Sequence, residues 1–174
     1  GYEKVAVLLR AALVEAQVKN IGIVVDANNA GPAARWDTIR VLLRSTFSEN
    51  TLNAATLGPE GIVLREAGKP VVGIWIMPDN QRNGYLEHFL TELVDQSAPL
   101  WQHSENTVTD LSGRDFCRFK AIRRQKALIH TWLAWQEEPG RPFGIAMQAG
   151  YLNPQANVAQ PFLAWMKQTF RLES

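Results

Sequence analysis

Two stretches end in the same chemistry. IGIVVDAN closes on Asp26 and Asn28, and VGIWIMPDN closes on Asp79 and Asn80. Oxygen donors collected at one place suit Mg²⁺, a hard cation that binds a few carboxylate or carbonyl oxygens and keeps several waters. Such an ion stabilises charge on a phosphoryl oxygen and activates water. Glu87, in LEHFL just after the second stretch, is the next candidate ligand. Arg123, Lys126 and His130 recur at three- and four-residue spacing and suit a phosphate. Each group also has an ordinary reading. Asx residues at strand ends cap backbone groups and start turns. An acid in the first turn of a helix gains from the helix dipole, and a run of cations on one helix face is commonly solvated.

For Asp26 and Asp79 to act together, the elements before them must be neighbouring strands whose carboxyl ends share an edge. IGIVV, residues 21–25, is β-branched and wholly apolar, which predicts a strand buried on both faces. VVGIWIM, residues 71–77, reads the same way, and GIVLREA, residues 61–67, predicts a further strand. Between them, Gly31-Pro32 opens a helix with Trp36, Ile39, Leu43 and Phe47 on one side. Residues 48–61 read as loop. A helix over residues 3–18 precedes the first strand, and Leu86, Phe89, Leu90 and Leu93 predict another after the third. This alternation argues for an α/β domain with a mainly parallel sheet.

The second half is read as helical. Residues 98–119 show no firm pattern. A helix is predicted over 119–135 with Ile122, Ile129, Trp132 and Leu133 inward, then a break at QEEPGRP, where Glu137 and Glu138 are placed to pair with Arg141 or to bind a partner. A short helix over 143–149 follows, and a last one from Asn157 with Val158, Phe162, Trp165 and Met166 inward. The predicted organisation is a core over residues 1–97, with a helical extension over 98–174 packed on it as one compact unit.

The bulk numbers exclude some classes. The 174 residues suit one compact domain, and 46% hydrophobic residues allow a real core. Eighteen basic and 17 acidic side chains leave a net charge of +1, with no global pull toward nucleic acid or anionic membrane. Cys117 is the only cysteine, which excludes an intrachain disulfide and suits a reducing cytoplasm. No apolar run spans a bilayer. His88, His103 and Cys117 lack zinc-ligand spacing. Neither a phosphate-cradling G-x-x-x-x-G-K-[ST] loop nor a G-x-S-x-G elbow is present. The chain opens abruptly in a helical pattern, without a signal peptide.

Three stretches, IGIVVDANNAGPAARW, VGIWIMPDNQRNGYLEHFL and KALIHTWLAWQEEPGRPFGIAMQAGYL, resemble a bacterial family of domains of unknown function placed near the Toprim fold, distantly similar to the overcoming-lysogenization-defect nucleases. The resemblance covers most of the chain. It implies a Toprim-like, mainly parallel sheet flanked by helices, binding Mg²⁺, with Mn²⁺ as substitute, for phosphodiester chemistry on nucleic acid. Asp26 matches the first acid of an Asp-x-Asp motif, and Asn28 stands at the second. Glu87 resembles the later acid and Lys126 a lysine of the nucleases. Asp26, Asn28, Asp79 and Glu87 are then the metal set, with Glu87 and Lys126 catalytic.

The resemblance also places a strand ending in glutamate before the helix at residues 3–18, where this chain begins. That missing strand implies an exposed sheet edge, covered by a second copy or a partner chain, and a companion ATPase is the partner the nucleases suggest. Two functions follow as expectations. One is Mg²⁺-dependent cleavage of nucleic acid. The other is a catalytically degenerate module, with Asn28 in place of an acid, that binds nucleic acid or a protein.

Overall fold

The structure is a computed structural model that describes residues 2–15 and 17–172. It is a mixed α/β protein that divides into two compact units, residues 1–85 with 160–174, and residues 86–159. The division falls at Tyr85/Leu86, and the first unit includes the last helix.

The first unit holds three strands, β1 (Asn20–Asp26), β2 (Ile62–Leu64) and β3 (Val71–Met77). They lie in the order β1-β3-β2. β1 pairs with β3 in parallel, from Asn20 opposite Val71 to Asp26 opposite Met77. β2 runs antiparallel to β3, so the sheet is mixed rather than mainly parallel. The reason is the connection. Only residues 65–70 separate β2 from β3, too few for a crossover to a parallel neighbour. β1 reaches β3 by way of two helices, long enough to return in parallel.

β3 is buried along its whole length, as its composition predicts. β1 is not. It lies at the sheet edge, and Val24 is 45% exposed. The expectation of burial on both faces fails here because an unbroken apolar run does not distinguish a central strand from an edge one. The ladder also fixes which way its backbone points. Val71 N donates to Lys19 O and Ala27 N to Met77 O, so the odd residues of β1 bond to β3. The even ones, Gly22 and Val24 among them, point away. Among the described residues no strand pairs with that side.

One sheet face carries Ile23, Val72, Ile74 and Ile76 against Leu9 of α1 (Tyr2–Val14) and Trp36, Ile39 and Leu43 of α2 (Pro32–Leu43). Gly31, at φ 86°, turns the chain into α2, and Pro32 opens the helix as predicted. The segment read as loop contains α3 (Glu49–Ala54), whose signal was Ser48. That side chain accepts from Thr51 N as an N-cap. The other face receives α8 (Gln160–Phe170). Trp165 is 1% exposed, donates Nε1 to Ile62 O at 3.2 Å, and meets Trp75 and Phe162. Gly22 and Gly73 make room for it. A Cβ on Gly22 would stand 2.8 Å from the Phe170 ring, and one on Gly73 would collide with Thr169.

The second unit contains α4 (Leu86–Thr91), α5 (Pro99–Ser112), a 3-10 turn at Ala121–Arg123 leading into α6 (Arg124–Ala134), α7 (Phe143–Gln148) and a second 3-10 turn at Asn157–Ala159. α5 lies in the stretch that showed no firm pattern. Pro99 at its first position and Trp101, Ser104 and Val108 on its buried side were the available signs. α5 packs on α6, where Trp101 meets Trp132 edge-on at 5.9 Å. Ile122 and Val158, expected inward, are 45% and 42% exposed. Both sit in tight 3-10 turns rather than α-helix, so the 3.6-residue period that placed them inward does not apply.

Candidate functional site

The two strand tips are adjacent, as the sequence required: Asp26 is the register partner of Met77, and Ala27 N donates to Met77 O at 3.1 Å. Beyond Asp26 the chain folds back. Asn28 takes a left-handed conformation at φ 54°, and its N donates to Gly84 O at 2.9 Å. Its Nδ2 makes a long bond, 3.4 Å, to the Asp26 carbonyl. Asp26 and Asn28 are both half-buried.

The other tip is a closed knot. Asp79 Oδ1 accepts from Gln81 N at 3.0 Å and from Arg82 N at 2.8 Å, while Oδ2 pairs with the Arg82 guanidinium. Burial pushes the Asp79 carboxyl up. The Arg82 amide and side chain, the Gln81 amide and the Arg82 charge outweigh it and hold the pKa below its ordinary value. Asn80 is buried, at φ 65°. Its Oδ1 accepts from Ile76 N at 2.7 Å, its own N donates to Ile76 O at 2.7 Å, and Nδ2 reaches Pro59 O at 3.4 Å. Asp79 and Asn80 are thus working turn residues. Arg82, which the sequence reading passed over, is what engages the second oxygen of Asp79.

Glu87 and Lys126 belong to the second unit, and α4 packs on α6 to bring them together. Lys126 Nζ lies 3.1 Å from Glu87 Oε1, and the Glu87 side chain is only 14% exposed. Burial raises the Glu87 pKa, but its own backbone amide, the Lys126 hydrogen bond and charge, and the His130 charge more than offset this. The carboxylate stays ionised beside its lysine. His130, one turn beyond Lys126, lies against Phe143 at 5.2 Å. His103 lies against Trp135 at 5.3 Å. In the QEEPGRP break, Glu138 pairs with Arg141, whose guanidinium sits 5.8 Å over Tyr151.

Among the described residues no three His, Cys, Asp or Glu groups are arranged to hold a metal ion. Of the ligands predicted at the strand tips, Asp26 is a carboxylate and Asn28 an amide, while the oxygens of Asp79 are committed to the turn. In the second, Glu87 is held by Lys126. Neither donor set by itself fits the ion well, because Mg²⁺ favours carboxylates in near-octahedral geometry.

Fold and strand tips define a mixed α/β protein with an Asx-tipped parallel strand pair and an all-helical second unit. The chain belongs to the family described as protein of unknown function (DUF3226), which matches residues 1–171. No curated protein and no solved structure matches it. No helix among the described residues is long and apolar enough to cross a membrane.

Proposed function

We propose that this chain is a Toprim-like module that binds nucleic acid without cutting it, its Asp-x-Asp motif reduced to Asp26 and Asn28. The observation that carries this reading is the knot at the tip of β3. Asp79 and Asn80 spend their oxygens on their own turn, which takes one of the two strand-tip carboxylates out of any metal set. An amide replacing a carboxylate removes one charge from the ligand set and weakens the hold on Mg²⁺. Calorimetric titration with Mg²⁺ and Mn²⁺ is expected to give only weak heat, abolished by Asp26→Ala. Tight binding, or heat unchanged by that substitution, would count against the reading.

A second reading is Mg²⁺-dependent phosphodiester cleavage, with Glu87 and Lys126 of the second unit as its catalytic residues. One observation favours it: Glu87 is kept ionised at a largely covered position beside a lysine. A nuclease assay on single- and double-stranded substrates decides between the two. Cleavage by the intact chain, lost in Glu87→Ala, establishes the second. The outward edge of β1 supports a further strand from a second copy or a partner protein such as the companion ATPase. Light scattering, alone and with candidate partners, tests that association.

A further inference from the structure

We propose that residues 113–126, the turn that follows α5 and the start of α6, form the surface on which a single strand of nucleic acid docks. The inference rests on the nucleic-acid reading above and names the part of the molecule that makes contact. From Arg114 to Lys126 the chain carries six Lys and Arg residues and one acid, Asp115, in a protein whose total net charge is only +1. The positive charge is therefore local, and the remaining residues are on balance acidic.

Several of these cations have partners. Arg114 pairs with Asp110 at 2.6 Å, Arg124 donates to the Thr109 hydroxyl at 2.7 Å, and Lys126 pairs with Glu87. Arg118 and Lys120 have none among the described residues, and both are exposed. Their backbone explains the arrangement. Residues 117–120 form neither helix nor strand, and exposure alternates along them. Cys117 and Phe119 turn inward, while Phe116, Arg118 and Lys120 face solvent. Phe116 is 67% exposed, an unusual place for a large aromatic ring.

The segment thus presents to solvent an aromatic ring with two cations in the four residues after it, and Arg123 is exposed beyond them. An aromatic platform beside a cationic track is how proteins hold single strands. The ring stacks an unpaired base, and the cations follow the phosphates. A duplex keeps its bases stacked inside and has no use for the ring. An anionic membrane is better met by a long amphipathic helix, and this segment is a turn.

The test is fluorescence anisotropy of labelled oligothymidine with the full chain, in EDTA so that no cleavage contributes. Arg118→Glu with Lys120→Glu is expected to weaken binding at least tenfold, and to lower the slope of log affinity against log salt by about 1.4, two phosphate contacts' worth. Phe116→Ala is expected to weaken it about fivefold or more. Lys69→Glu with Lys167→Glu, the same charge change on the first unit, should cost less than threefold. Circular dichroism melts confirm that the variants fold. Oligonucleotide binding by the parent that survives the Arg118/Lys120 reversal, or falls equally in the control pair, overturns the docking surface and leaves the nucleic-acid reading standing. No binding by the parent chain overturns both. Preference for duplex, or binding to phosphatidylserine vesicles in place of oligonucleotide, overturns the single-strand assignment.

Discussion

The tips of β1 and β3 carry nearly the same residues and do different jobs. At β3, Asp79 caps two amides and engages Arg82, and Asn80 ties its side chain and its own amide back to Ile76. At β1, Asn28 makes its firm bond through its backbone, to Gly84, and only a long one through its side chain. An Asx pair after an apolar strand is therefore not one motif. Where the chain doubles back at once, the side chains are consumed by the turn. Where it leads through Gly31 into a helix, the asparagine is held mainly through its backbone. Both asparagines are left-handed, a conformation that asparagine tolerates better than most residues.

The largest expected effect is at Asn80. Asn80→Ala strands the buried Ile76 N–H and puts alanine, which tolerates the left-handed region less well than asparagine, at positive φ, at a combined cost of about 3 kcal/mol in urea unfolding. Asn80→Gly restores the backbone freedom and should recover about 1 kcal/mol of that. Asn28→Ala should cost only about 1 kcal/mol, nearly all of it backbone, so Asn28→Gly should be close to neutral. Equal losses at the two sites would erase the contrast between the tips.

Asp79 sharpens the same contrast through pH. Its folded pKa lies below the ordinary 3.8, so its ionised form favours folding. That contribution is present above the unfolded value and is lost as pH falls below 3.8 through the folded one. The stability difference between the parent and Asp79→Asn should shrink across that window in urea melts at stepped pH. The smallest effect is at the ion pair of the second unit, whose lysine end is exposed. Lys126→Met should change stability by less than about 1 kcal/mol. It should nevertheless raise the Glu87 pKa in a carbon-detected NMR titration, because burial then acts with less opposition.

Much of this was legible in the residues. Val71–Met77 declared itself as a buried strand by composition, and Gly31-Pro32 marked the start of a helix. The missed helices had local signals, Ser48 as a cap for one and Pro99 at the first position of the other. Other features had no local signal. The edge position of β1 depends on which strands pair with it. The exposure of Ile122 and Val158 follows from turns tightened to 3-10 geometry. The commitment of Asp79 depends on Arg82 curling back onto it.

By itself the sequence determined the alternation of helix and strand in the first half, the helical second half, and the Asx pairs that end two apolar strands. Those are properties of runs of neighbouring residues, fixed by periodicity and backbone preference. Only the tertiary structure decided which strand is central, which Asx oxygens are already used, and that Glu87 meets Lys126. Pairing, burial and charge partnership are made between segments distant in the chain, and no local pattern encodes which segments will meet.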